Sequence, residues 1–153
     1  MRHLLLMLVL LVSMTASAQN ADALYEEGKA LYDKKDYAAA VEKLRPAAQK
    51  GHKKAQYRLG RCYDKGRGVE ESNDEAFRWY TKSADQGYYK AEYQLARCYL
   101  KGKGVTPNEK KAAAMVKRAV SGKKHGEEML KEIKESAAGG DETDRRLLQL
   151  LGL

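Results

Sequence analysis

Apolar and polar residues follow one another along this chain with a helical period. Ala55, Leu59, Cys62 and Tyr63 recur at spacings of four and three, so they share one face of a helix. Lys65-Gly66-Arg67-Gly68 interrupts that face, because glycine caps helix C-termini and reaches conformations closed to other residues. Val69 follows as an apolar anchor in an otherwise polar loop. A second helix is predicted from Ser72, an N-cap with Glu75 three residues on in capping-box spacing. Ala76, Trp79, Tyr80 and Ser83 form its inner face, and Gly87 ends it. Nothing in this design calls for a strand.

The same design returns 36 residues later. Ala55 answers to Ala91, Leu59 to Leu95, Cys62 to Cys98, Tyr63 to Tyr99, Gly66 to Gly102, Gly68 to Gly104, and Val69 to Val105. The register slips only where Gly87 answers to Gly122, 35 residues on. An earlier unit shares the second half of the pattern. Asp36, Ser72 and Asn108 are successive N-caps, each followed four residues on by an alanine (Ala40, Ala76, Ala112). Its first half is offset, with Gly28 only 32 residues before Gly60, because the G-x-G-V part of the loop is missing. Gly28, Gly60 and Ala96 are small where a second helix approaches. Self-similarity at this period marks a solenoid, in which each unit buries its apolar face against its neighbours.

The pattern A-x-x-x-L-G/A-x-C-Y-x-x-G-x-G-V, followed by S/N-x-x-x-A and a closing A-x-x-G, resembles the Sel1-like repeat, a relative of the tetratricopeptide repeat with a longer inter-helix loop. The earlier unit, with G-K-A-L-Y and then D-Y-x-x-A, resembles a plain tetratricopeptide repeat. The resemblance implies an all-α fold: a right-handed α-solenoid of three antiparallel helical hairpins that binds other proteins. The expected organisation is a leader over 1–18, a tetratricopeptide-like repeat over 19–52, Sel1-like repeats over 53–88 and 89–122, a capping helix over 123–137 and a leucine-rich tail helix over 138–153.

The leader changes where such a module is expected to act. Arg2 supplies a positive start, Leu4 to Val12 an apolar stretch, and Ala16-Ser17-Ala18 a small-residue cleavage site before Gln19. Nine apolar residues are too few to span a bilayer, which needs about 20. Export with cleavage is expected, giving a periplasmic or extracellular bacterial protein with no transmembrane segment. Losing Arg2 leaves 28 basic against 21 acidic residues, a formal charge of +7. Acidic protein surfaces, anionic lipid or cell-wall polymer suit that charge better than nucleic acid, for which no motif is present.

Chemistry is sparse. His52 and His125 fall at inter-repeat junctions without ligand spacing and read as solvated turn residues; neither metal nor cofactor is called for. No nucleophile elbow or phosphate loop occurs. Cys62 and Cys98 occupy equivalent positions on stacked helices, roughly 8–10 Å apart, where a disulfide needs about 7 Å or less. They read as buried free thiols, with a disulfide as the competing reading for an exported chain. Cysteine-rich Sel1-like proteins linked to β-lactams suggest a rival function, a binder or hydrolase of cell-wall or β-lactam-like ligands, but their intra-repeat cysteine pairs are absent here.

Tyr63, Tyr80 and Tyr99 hold consensus inner positions. Tyr25, Tyr57 and Tyr93 each lie three residues before the small packing position, and Lys29, Arg61 or Arg97 follows one residue after it. By resemblance to tetratricopeptide repeats these two positions line the concave groove. Tyr25, Lys29, Tyr57, Arg61, Tyr93 and Arg97 would then form a ladder suited to an acidic peptide or a terminal carboxylate. The competing reading packs the tyrosines between units and leaves the cations in solvent. Beyond the repeats, Met129, Leu130 and Ile133 make the narrow stripe of a capping helix. The tail's Leu147, Leu150 and Leu151 are expected to fold back onto the last hairpin or that helix, or else to form a partner-binding helix. The expected function is a non-catalytic adaptor for a protein or peptide partner.

Overall fold

The protein is described here by a computed structural model covering residues 19–153; the expected leader lies outside the described residues. These residues form eight helices and no strand: α1 over 19–33, α2 (Tyr37–Gln49), α3 (Lys53–Lys65), α4 (Asn73–Asp85), α5 (Tyr89–Lys101), α6 (Glu109–Ser121), α7 (Gly126–Ala138) and α8 (Glu142–Leu151). From α2 onward each helix packs on the next, and α8 returns to pack on α5 and α6 as well as α7. The capping helix and the tail therefore pair as a fourth two-helix unit.

The helix starts follow from local chemistry. Asp36, Ser72 and Asn108 each accept a hydrogen bond from the backbone N–H three residues on, satisfying a donor that the helix leaves free. The capping box at Ser72 is half made. Glu75 turns its carboxylate to the Trp79 indole N–H (3.1 Å) and to Arg78 (3.1 Å). His52 is not a solvated turn residue. Its Nδ1 accepts from the Ala55 N–H at 3.0 Å, capping α3, while its ring stacks on Tyr25 at 4.3 Å. His125 likewise stacks on Tyr89, with centroids 4.6 Å apart and planes 4° from parallel.

The long loops have a packing reason. Gly66 and Gly102 end α3 and α5 in the left-handed conformation, with φ of 59° and 68°. Gly68 and Gly104 repeat it, with φ of 69° and 66°. A Cβ at Gly68 would overlap the Tyr37 carbonyl, and one at Gly104 the Asn73 carbonyl. Each loop thus lies flat on the start of the preceding unit's second helix. The first unit joins α1 to α2 through three residues and carries no such loop.

The core runs along the solenoid as three clusters. Leu44, Leu59 and Cys62 belong to the first, Tyr80, Leu95 and Cys98 to the next, and Val116, Met129, Ile133 and Leu147 to the last. The small position works as its size suggests. A Cβ on Gly60 would sit 2.7 Å from the Tyr80 ring and one on Gly28 2.8 Å from Leu44. Cys62 and Cys98 are buried free thiols in separate clusters. Two expectations about tyrosines change. Tyr63 and Tyr99 are half-buried, whereas Tyr25 and Tyr93 are buried. The Tyr25 ring stacks on His52 at the junction with the next unit, and the Tyr93 hydroxyl meets the Asp144 carboxylate of α8.

Candidate functional site

Three of the six residues expected in the groove converge on one cleft. Arg61 on α3 and Tyr93 and Arg97 on α5 line a hollow of about 260 Å³ closed on its far side by α7. Tyr25, Lys29 and Tyr57 stand outside its lining. Tyr25 is covered by His52, and Tyr57 meets Tyr88 edge-on at 5.3 Å. The tyrosines at these two positions therefore pack between units while the arginines reach inward, so the ladder is not one continuous open face.

The two arginines of the cleft are in different states. Arg97 is held by the tail: its Nη2 donates to Asp141 at 2.8 Å, and its Nη1 lies 2.6 Å from Asp144. The Tyr93 hydroxyl lies 2.9 Å from each carboxylate oxygen of Asp144, donating to that carboxylate. Asp144 is fully buried, and Asp141 caps α8 by accepting from the Asp144 N–H. The Arg97 guanidinium, which hydrogen-bonds the Asp141 carboxylate, holds that group down at about 2. Around Arg61 the neighbours are instead the phenols of Tyr57, Tyr32 and Tyr80. No carboxylate among the described residues lies within ion-pair distance of it.

The sequence reading missed several contributors. Lys65 and Lys101, an equivalent pair 36 residues apart, both border the cleft, as does Lys103. Their periodic spacing was the available signal. Asp64 is tied to Lys103 at 2.9 Å and to Lys65 at 3.1 Å, which outweighs its burial and lowers its pKa. The part played by Asp141 and Asp144 had no sequence signal beyond an acidic helix start. Lys103 and its counterpart Arg67 share a role, since each reaches back one unit: Arg67 donates to the Tyr32 hydroxyl at 2.6 Å.

The two cysteine thiols are not set up as nucleophiles. Burial pushes the Cys62 thiol up to about 11 and Cys98 to about 12, the reverse of what a nucleophile requires. Among the described residues no group of three or more His, Cys, Asp or Glu side chains could hold a metal ion. No helix among them is long and apolar enough to cross a membrane.

Paired helices stacked in register, with an inter-unit cleft on one side, define a helical-repeat solenoid. The chain belongs to the Sel1 repeat family, which it matches over residues 16–52, 53–88 and 90–122. The first of these spans the short-looped unit. A Sel1 repeat protein from Oxalobacter formigenes is similar in structure, with 39% identity, 55% of this chain and 24% of that one covered, and a TM-score of 0.54. So is a protective antigen of uropathogenic Escherichia coli strains with an SLR fold, at 30% identity, 85% and 28% coverage, and a TM-score of 0.65. The chain thus spans about a quarter of the length of these solved structures. A comparison with curated proteins finds no match. Sel1 repeats typically serve protein–protein interaction.

Proposed function

We propose that this chain is an exported, non-catalytic interaction module whose α3–α5 cleft receives an acidic segment of a protein or peptide partner, outside the cytoplasm of a bacterium. Export rests on the leader pattern around Arg2, Leu4 to Val12 and Ala16-Ser17-Ala18. The observation that carries the partner reading is the charge of the cleft. Arg61, Lys65, Arg97, Lys101 and Lys103 face it against Asp64 and Glu132, and such a cluster favours carboxylates. Aromatic and arginine side chains together are also the preferred anchors of interfaces.

Crosslinking in the native envelope from a photoreactive residue at Lys101, on the exposed rim of the cleft, tests this. Capture of one dominant protein, lost on Arg61→Glu, is the expected result. Reversal at Arg97 would be uninformative, since it would also release α8. Capture that survives Arg61→Glu would place the partner elsewhere on the solenoid.

A further inference from the structure

The tail helix supplies a worked example of what the groove accepts. At the third rung, Arg97 and Tyr93 together hold a fully buried carboxylate, Asp144, in the first turn of α8, while Asp141 at the cap takes the second guanidinium nitrogen. The same two residue types stand 36 positions earlier as Tyr57 and Arg61. There the guanidinium is half-buried and has no carboxylate among the described residues. The wall beside it carries the Tyr80 hydroxyl, buried and without a hydrogen-bond partner. A buried donor without an acceptor is costly and is the kind of group a ligand satisfies.

Resting on the partner reading above, we propose that the second rung is a receptor for a carboxylate presented in the first turn of a partner's helix, held as Arg97 holds Asp144. Charge balance supports one further anion. Asp64 is occupied by Lys65 and Lys103, which leaves Arg61 and Lys101 facing only Glu132 across the cleft. Acidic residues belong in a helix's first turn for a second reason, because the helix dipole presents positive potential there. A helix entering the cleft N-terminus first therefore brings its carboxylate and its own preferred charge pattern together. The fork of Arg61 can take that carboxylate through two parallel donors.

The probe is a fluorescein-labelled peptide with this chain's own residues 139–153, added to the full mature protein, in which α8 holds the third rung. Fluorescence anisotropy should show binding that weakens as salt is raised. Affinity should fall about tenfold or more for Arg61→Gln protein, and equally for a peptide carrying Asp144→Asn, as expected for a lost charge-assisted hydrogen bond. Arg61→Lys, which keeps the charge and loses the fork, should fall between. Circular dichroism of each variant verifies that the helices remain. Equal affinity for wild-type and Arg61→Gln protein, or for the two peptides, overturns the inference. So does absence of any binding, and the crosslinking result would then still decide whether the module has a partner elsewhere.

Discussion

Rungs two and three of the groove carry the same residue types, a tyrosine and an arginine four apart on successive first helices, and meet opposite fates. Arg97 is tied into an ion-paired network with the tail, and Tyr93 is buried beside it. Arg61 keeps its charge uncompensated among phenols at the edge of an open cleft. The difference comes from the neighbour and not from the repeat itself. A solenoid end must cover its last apolar face, and here α7 and α8 do so with Met129, Ile133 and Leu147. Once Leu147 seats α8 against α5 and α6, the acidic start of that helix falls on Arg97. An interior rung has no such cover and stays available. A repeat position thus fixes which chemistry is offered, and local packing decides whether it is already used.

The largest effect should come from Asp144→Ala, which removes a fully buried carboxylate and leaves the half-buried Arg97 guanidinium without its deepest partner. Urea unfolding should show a loss of about 3–5 kcal/mol. A loss under about 1 kcal/mol would mean that the third rung is as open as the second. Next, Leu147→Ala removes a fully buried side chain and should cost about 2–5 kcal/mol by the same measurement. A near-neutral result there would detach α8 from the core and erase the contrast between the rungs. Arg61→Gln, by contrast, should change stability by less than about 1 kcal/mol, because no ion pair is broken. A large loss would show that Arg61 is a structural residue and its rung is not free.

A pH effect should be confined to the third rung. The Asp141 carboxyl is held at about 2 in the folded chain, below its unfolded value of about 3.9. A depressed carboxyl contributes stability above its unfolded pKa and loses it as the pH falls through the folded one. The melting temperature of the wild type should exceed that of Asp141→Asn at neutral pH. The gap should close between pH of about 4 and about 2. A gap that persists unchanged at pH 2 would remove Arg97 as its cause.

Much of the fold was legible because it rests on local rules. The 36-residue register, the caps at Asp36, Ser72 and Asn108, and the small residues Gly28 and Gly60 each follow from spacing and residue size, and each stands in the structure as expected. The docking of Leu147 also followed, from too many leucines on a short helix beside an uncovered end. The site was legible only in part. Position on a helix told which residues share a face, but not what lies opposite them. Tyr25 and His52 stack across a junction, and Asp144 reaches Tyr93 over 51 residues of sequence, contacts that no period encodes. The reciprocal half of the Ser72 capping box failed for a similar reason, because Trp79 offered Glu75 a better donor.

The claim that α8 occupies the third rung through its acidic start is tested most directly by a double-mutant cycle between Arg97 and Asp144. Stabilities of Arg97→Ala, Asp144→Ala and the double variant would be compared with the wild type by urea unfolding. Partners in one network should couple by about 1.5 kcal/mol or more, so that the double variant loses clearly less than the sum of the two single losses. Losses that add to within about 0.5 kcal/mol would contradict the account, because the two side chains would then act independently.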